Sequence, residues 1–173
     1  MSPGQQILSF VFRHRVGVWT AIVILCIDQI AKHAVSSVLG VGESWPAYGL
    51  LRLTHVTNSG NTLDLFSGHS AALIAVSAAG VALLFALYWP RPKTGVIAQL
   101  AFGLMLAGMT GNLADRVILG HVTDFIDVMR WFVFNVADVA ILFGLLGFTV
   151  DMPRAAAAFV RARSGVLPPA CSG

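Results

Sequence analysis

Four long apolar runs constrain what this chain can fold into more than any other feature of its sequence. A helix needs about 20 consecutive apolar residues to cross the hydrocarbon core of a bilayer, and each run reaches or nearly reaches that length. Only 11% of the 173 residues are charged, against about 25% in a soluble domain. The sequence therefore predicts an all-α integral membrane protein with four transmembrane helices. The four runs are Val16–Val35, Ala71–Trp89, Gly95–Leu113 and Phe134–Val150.

The basic residues outside these runs predict the orientation of the chain. Positive residues accumulate on the cytoplasmic side of membrane proteins. One side of the predicted bundle would carry Arg13, Arg15, Arg91, Lys93, Arg154, Arg161 and Arg163. Both termini are therefore predicted to be cytoplasmic, with the loops around residues 36–70 and 114–133 outside. The net charge of +3 is interpreted as a topology signal, so no nucleic-acid partner is predicted.

The two outer loops contain segments typical of short strands. "LRLTHVT" (51–57) alternates apolar and polar residues, while "VILGHVTDFI" (117–126) and "VMRWFV" (128–133) are rich in β-branched and aromatic residues. These segments predict a small extracytoplasmic β-cradle. We expect residues 1–152 to form a single membrane domain, and residues 153–173 to form a cytoplasmic tail that is disordered at its end.

Half of the acidic residues gather in one short region. The chain has 8 Asp and Glu residues, and four lie between positions 111 and 138. An ionisable residue at membrane depth suggests a functional site by default. Outside the region, Asp28 and Lys32 are four residues apart on one helical face and can pair. That pair either stabilises the outer end of the first helix or supports an active site. The four acids are Asp115, Asp124, Asp127 and Asp138.

Three polar residues fall on one helical face at the outer end of the third run. Asn112, Asp115 and Arg116 have the spacing i, i+3, i+4. They are typical either of a polar helix end with an internal salt bridge or of a network that orients a site. In the second case Arg116 would bind a lipid phosphate or a substrate carbonyl.

The remaining acids have structural interpretations as well. Asn135 and Asp138 have the spacing of a capping box at the start of the fourth run, where a helix favours an acid. Asp124 can be a surface carboxylate on an outer loop. Asp127 is interpreted as a solvated loop acid without a role.

Asp124 and Asp138 together suggest a sharper hypothesis. Two carboxylates brought close together share a proton, so the ionised one can activate water while the protonated one polarises a carbonyl. No HExxH, phosphate-cradling glycine motif or Cys/His metal spacing competes with them, and no metal or cofactor is predicted. A proton-coupled transporter remains the alternative, although the acids cluster at one membrane face and no inverted repeat is visible.

The motifs resemble those of the bacterial lipoprotein signal peptidases, also called signal peptidase II. "GNLADRVILGHVTDF" (111–125) matches the family pattern G-N-x-x-D-R-x-x-x-G-x-V-x-D-F, and "FNVAD" (134–138) matches F-N-x-A-D. "DQIAK" (28–32) resembles the D-x-x-x-K element and "NSG" (58–60) the N-x-G element. The motifs occur in the family's order, and the resemblance covers about residues 16–152.

The resemblance implies a role for each matched residue. Asp124 and Asp138 match the catalytic aspartates of a four-span membrane aspartic protease. Asp28 and Lys32 match a structural pair. Polar residues that bind or orient the substrate are matched by Asn58, Asn112, Asp115, Arg116 and Asn135.

The implied reaction is removal of the signal peptide from a prolipoprotein, by cleavage before the diacylglyceryl-modified cysteine. The enzyme is expected to be a monomer in the bacterial inner membrane, in contact with lipid, with its site near the outer face.

Two departures from the family pattern bear on these expectations. Asn61, Thr62 and Leu63 stand where the family has two small residues and an aromatic. A specialised or catalytically silent relative that binds lipoprotein signal peptides is therefore the other interpretation. In "AGMTGN" (107–112), Ala107 stands where the family has a glycine, and little effect on helix packing is expected because alanine is also small.

Overall fold

A computed structural model describes the backbone of residues 3–60, 70–89 and 95–164, and most side chains in these ranges as far as Asp151. Five helices and four strands lie in this part of the chain. In order they are α1 (Pro3–Arg13), α2 (Arg15–Val38), β1 (Ser44–Trp45), β2 (Leu51–Asn58), α3 (Ser70–Tyr88), α4 (Val96–Ile118), β3 (Val122–Val128), β4 (Phe132–Phe134) and α5 (Val136–Ser164).

Three of the described helices, α2, α3 and α4, are long and apolar enough to cross a membrane. Their positions confirm the first three predicted runs. α4 continues to Ile118, five residues beyond the predicted end at Leu113. Its polar outer turn therefore remains helical and carries Asn112, Asp115 and Arg116 on one side.

The ends of the chain differ from a simple four-run pattern. The short helix α1 precedes α2, separated from it by His14 alone, and leaves Ile7 and Phe12 exposed. The buried His14 ring bonds to the hydroxyl of Tyr88 at 3.1 Å. α5 begins at Val136, two residues after the predicted start of the fourth run, because Phe134 ends β4. The helix continues past the expected domain end at residue 152 as far as Ser164.

The outer segments form one four-stranded antiparallel sheet in the order β1-β2-β3-β4. β2 pairs with β3 so that Asn58 lies opposite Val122 and Val56 opposite Asp124. The prediction of a small sheet is confirmed, with corrected limits. Val117 and Ile118 belong to α4 because the helix ends only before Gly120, whose φ is 79°.

The segment "VMRWFV" is a turn for half of its length. Met129 and Arg130 have φ values of 56° and 63°, as expected at the centre of a tight hairpin turn. β4 therefore begins at Phe132.

Helix α4 is the centre of the bundle and packs on α2, α5 and α3. Close packing is possible because α4 presents small residues to its neighbours. A Cβ atom added at Gly103 would overlap the carbonyl of Gly17 in α2, and one added at Gly108 would overlap the carbonyl of Ala137 in α5. Ala107, at the position of the family's glycine, is buried in the same region.

The contact of Gly108 with Ala137 generates a stability prediction. Gly108→Ala should force α5 away from α4 and lower the free energy of unfolding by about 1–3 kcal/mol, the usual cost of overpacking. Gly4→Ala is the matched control, because no atom lies within 4 Å of the Cβ position at Gly4. Thermal unfolding in detergent measures both. Equal melting temperatures for the two variants would contradict the close contact.

Candidate active site

Asp138 is held by the first turn of its own helix. The side-chain oxygen of Asn135 accepts the backbone N–H of Asp138 at 2.9 Å, and Asp138 Oδ2 accepts the backbone N–H of Asn135 at 3.2 Å. This reciprocal pair is a capping box. The other carboxylate oxygen, Oδ1, accepts an N–H of the Asn112 amide at 2.8 Å. The capping interpretation is therefore correct, and Asp138 also reaches α4.

Asp124 lies in β3 and is buried, so its interpretation as a surface carboxylate is wrong. Its Oδ1 accepts from the amide of Asn135 at 2.6 Å and its Oδ2 from the amide of Asn58 at 2.9 Å. Burial raises the pKa of the Asp124 carboxyl, and the nearby Asp138 charge raises it further. These effects outweigh the hydrogen bonds of both amides and the attraction of Lys32.

Asn135 contacts both of these aspartates. Its side-chain NH₂ donates to Asp124, and its backbone N–H donates to Asp138. The same NH₂ group lies 3.2 Å from Asn112 Oδ1 and 3.4 Å from the carbonyl of Thr123. Asn135 is completely buried. One residue at the start of α5 therefore fixes the strand-borne and the helix-borne carboxylate relative to each other.

Lys32 lies at the centre of a buried cluster of charged side chains, which is connected to Asp138 through Asn112. Its ammonium is 2.8 Å from Asp28 Oδ2, 2.8 Å from Asp115 Oδ2 and 2.9 Å from Asn112 Oδ1. The predicted pairing of Asp28 with Lys32 is confirmed. The structure pairs Asp115 with Lys32 of α2 in place of an internal salt bridge with Arg116. Because Lys32 binds the carbonyl oxygen of the Asn112 amide, the NH₂ group of Asn112 is left to face Asp138.

Asp28 connects the cluster to α5. Its Oδ1 accepts the backbone N–H of Ala137 at 2.8 Å. Two aspartates from different helices, Asp28 and Asp138, therefore cap the start of α5. An anionic group is favoured at this position by the helix macrodipole.

Gln29 was missed in the sequence. Its side-chain NH₂ lies 3.0 Å from Asp115 Oδ1, 3.2 Å from Asp28 Oδ2 and 3.5 Å from the carbonyl of Gly111. The available signal was a second polar residue beside Asp28 inside an apolar run. Gln29 thus joins the two acids that also bind Lys32.

Arg116 is directed toward α3 and away from the cluster around Lys32. Its guanidinium lies 3.5 Å from the hydroxyl of Ser77 and 3.2 Å from the carbonyl of Asn112. The side chain is half-buried at the outer end of α4. The three departing residues, Asn61, Thr62 and Leu63, lie outside the described part of the chain.

Asp127 is not a solvated loop acid; this interpretation was wrong. The side chain is 1% exposed, and the strand register places Asp127 opposite Arg52 of β2. Its Oδ2 accepts from the guanidinium of Arg52 and, at 2.7 Å, from the hydroxyl of Thr54. Its Oδ1 accepts the backbone N–H of Arg130 at 3.0 Å. Burial raises the pKa of Asp127, but the hydrogen bonds from Thr54 and Arg52 outweigh it and hold the pKa below its ordinary value.

The described residues contain no group of three or more His, Cys, Asp or Glu side chains that could hold a metal ion. The site brings together two carboxylates, Asp124 and Asp138, which accept hydrogen bonds from Asn58, Asn112 and Asn135.

The sequence and fold are similar to those of known proteins. Residues 20–154 match the family model described as signal peptidase (SPase) II. A lipoprotein signal peptidase of Dehalococcoides mccartyi strain BAV1 is 40% identical over 124 residues, which cover 69% of this chain and 78% of that protein. A lipoprotein signal peptidase of Moorella thermoacetica is 35% identical over 127 residues, which cover 73% and 85%.

Solved structures also match the fold. A bacterial membrane enzyme determined by the in meso method at 1.9 Å resolution matches with a TM-score of 0.72 and 24% identity, covering 79% of this chain and 91% of that one. A second structure of a bacterial membrane enzyme, at 2.3 Å, matches with a TM-score of 0.71 and 24% identity, covering 80% and 87%.

Removing the central cation should destabilise the protein strongly. Lys32→Met leaves Asp28 and Asp115 buried without their shared positive partner, and breaking a buried ion pair in this way costs about 3–5 kcal/mol. The neighbouring His33→Met is the control, because His33 is exposed on α2. Unfolding in detergent measures both variants. A Lys32→Met protein as stable as the control would show that the cluster does not hold the helices together.

Asp127 should make the stability of the outer sheet depend on pH. Its folded pKa lies below the ordinary value of 3.8. The carboxylate therefore contributes stability above the unfolded pKa, and this contribution is lost as pH falls through the folded pKa. We expect Asp127→Asn to be less stable than the parent at neutral pH, and the difference to shrink between about pH 5 and about pH 3. Melting temperatures across this range test it, and a difference that grew on acidification would contradict it.

Proposed function

The chain belongs to the signal peptidase II family, and we propose that Asp124 and Asp138 are the catalytic pair of this enzyme. It is a multi-pass membrane aspartic protease that removes signal peptides from prolipoproteins. The bond cleaved is the peptide bond before the diacylglyceryl-modified cysteine. The observation that carries the assignment of the pair is the position of Asn135, which donates one hydrogen bond to each carboxylate.

The two carboxylates share one proton. Burial and the Asp138 charge raise the pKa of Asp124, which favours Asp124 as the carboxyl that carries this proton. Asp138 is held by the Asn112 amide and by the N–H of Asn135, and serves as the general base. Asp124 donates its proton toward the carbonyl oxygen of the scissile bond and polarises it for attack.

The reaction then follows the usual order for an aspartic pair. Asp138 takes a proton from a water molecule, whose oxygen bonds to the carbonyl carbon and forms a tetrahedral intermediate. Asp138 passes the proton taken from water to the amide nitrogen as the C–N bond breaks, and one hydroxyl proton of the intermediate returns to Asp124. The signal peptide leaves as a carboxylic acid and the lipoprotein as an amine, and both aspartates are restored. The consumed water supplies the atoms that balance the step.

The surrounding polar residues position this pair and its substrate. Asn112 orients Asp138, and Asn58 donates to Asp124 from the neighbouring strand. Asp115, with Asp28 and Lys32, supports Asn112 from within the bundle. Arg116 lies at the outer end of α4 beside α3, where it binds a substrate carbonyl or a lipid phosphate.

The enzyme acts as a monomer in the bacterial inner membrane with four spans, the fourth being α5. Both termini are cytoplasmic and the site lies near the outer face. This orientation is supported by Arg13 and Arg15 at the opposite end of α2 from Lys32. Contact with lipid is supported by large exposed apolar side chains along α2, among them Trp19 and Ile30.

Loss of either aspartate should abolish cleavage. A diacylglyceryl-modified prolipoprotein is produced together with the wild type, Asp124→Asn or Asp138→Asn, and the precursor-to-mature shift is followed on a gel. We expect the wild type to process the precursor, and each variant to process it at least about 10³-fold more slowly, as for catalytic residues of other proteases. Melting temperatures show that each variant is folded.

Two outcomes would change the assignment. Cleavage at the wild-type rate by either variant would exclude that residue from the pair. A folded wild type that fails to cleave would favour the specialised relative that binds signal peptides. The triple change Asn61→Ala, Thr62→Ala and Leu63→Phe would then test whether this segment limits activity.

A further inference from the structure

An apolar groove of about 430 Å³ opens between α3 and α5, with α4 as its floor. Its walls are residues of α3 between Gly80 and Tyr88 and, on α5, Leu145 and Phe148; Met105 and Met109 of α4 form the floor. Leu83, Leu87 and Leu145 are more than half exposed. The groove therefore has an open side that faces lipid.

The groove lies on the helix faces that carry the site. In α4, Met109 and Met105 are three and seven residues before Asn112, so the three side chains share one face. In α5, Leu145 is seven residues after Asp138 and shares its face. The groove thus lies on the same helix faces as Asn112 and Asp138, on their side toward the other end of the bundle.

A second groove, on the other side of α3, is built differently. It lies between α2 and α3 and has Phe102, Leu106 and Thr110 of α4 as its floor. These residues belong to a different face of α4 from Asn112. Of these two grooves, the one between α3 and α5 is therefore the one that shares its helix faces with Asn112 and Asp138.

From this geometry we infer that the groove between α3 and α5 seats the apolar segment of the signal peptide, and that Gly80 and Met109 set the side-chain bulk it accepts. The inference rests on the proposed function. Signal-peptide residues precede the scissile bond, so they must extend from the aspartate pair toward the cytoplasmic side. An apolar segment of about 7–15 residues forms a helix about 10–22 Å long. The groove runs for about 12 Å along α3, from Gly80 to Tyr88.

Gly80 of the α3 wall and Met109 of the α4 floor pack against each other. Gly80 has no side chain, and a Cβ atom placed there would lie 2.6 Å from Met109 Cε. The methionine side chain is flexible and adapts to surfaces of different shape. The Met109 side chain occupies the space that Gly80 leaves. A larger residue at position 80 would displace Met109 into the groove, and a smaller residue at position 109 would widen it.

The test compares two prolipoproteins that differ only in the apolar segment of the signal peptide, one leucine-rich and one alanine-rich. Gly80→Leu should lower kcat/KM for the leucine-rich substrate by about tenfold or more, mainly through KM, with a smaller change for the alanine-rich one. Gly80→Leu combined with Met109→Ala should recover most of this loss. Ala79→Leu is the matched control, because Ala79 is exposed next to Gly80 and does not line the groove.

Equal losses with both substrates, or an equal loss in Ala79→Leu, would overturn the inference. If Gly80→Leu has a lowered melting temperature, the single variant Met109→Ala is used to test whether the groove selects the substrate. It widens the groove and should raise the preference for phenylalanine-rich over alanine-rich segments, and an unchanged preference would contradict the assignment.

A binding measurement separates this inference from the proposed function. Asp124→Asn protein in detergent is titrated with a fluorescent, uncleaved prolipoprotein, with and without Gly80→Leu. If the groove seats the signal peptide, the Asp124→Asn, Gly80→Leu protein should bind the leucine-rich substrate about tenfold more weakly than the Asp124→Asn protein. This holds whether or not Asp124 is catalytic. Unchanged binding would overturn the groove assignment even if cleavage by the wild type supports the aspartate pair.

Discussion

The rest of this structure depends on the ion pairs and the hydrogen bond that the buried Lys32 ammonium makes. It binds Asp28 from its own helix and both Asp115 and Asn112 from α4. Two carboxylates around one ammonium leave an excess negative charge, and the start of α5 compensates for it through the N–H of Ala137. Three helices are thus joined by one cation and one helix end. Without this balance, burying so many charged groups in an apolar bundle would be too costly.

Short side chains on α4 make that arrangement geometrically possible. Asp28 reaches α5 only because the helices approach closely at Gly111, where a Cβ atom would lie 2.8 Å from the Asp28 carboxylate. The same holds on the opposite side, where Gly108 leaves room for the carbonyl of Ala137. Small residues and buried charges therefore act together. The small residues let the helix backbones approach closely, and the buried charged side chains join the helices at that distance.

The sequence predicted the bundle and the sheet because their signals are local. Apolar length identified the first three spans, and strand-like composition identified the cradle. The overrun of α4 and the role of Asp127 depend on contacts between distant segments. Asp127 is opposite Arg52 only in the observed strand register, and no spacing within one segment reveals such a pair. Gln29 was missed for the same reason, since two of its three partners lie 82 and 86 positions away.

Asp124 and Asp127 lie three residues apart in β3 and therefore point to opposite faces of the strand. Asp124 faces the helices and Asp127 the outer loop. Asp138 differs, because one carboxylate both caps α5 and accepts a hydrogen bond from Asn112 of α4. The capping and catalytic interpretations were alternatives in the sequence, and the two oxygens of the carboxyl group allow both.

Helix α3 contributes no described residue to the cluster around Lys32 or to the hydrogen bonds of Asp124 and Asp138. On the proposed assignments, the helix that selects the substrate is thus separate from the segments that perform the chemistry. Mutations along the groove wall of α3 would therefore change which precursors are processed while they leave the described hydrogen bonds of Asp124 and Asp138 in place. Duplicated copies of such an enzyme can therefore diverge in substrate range while the catalytic core remains unchanged.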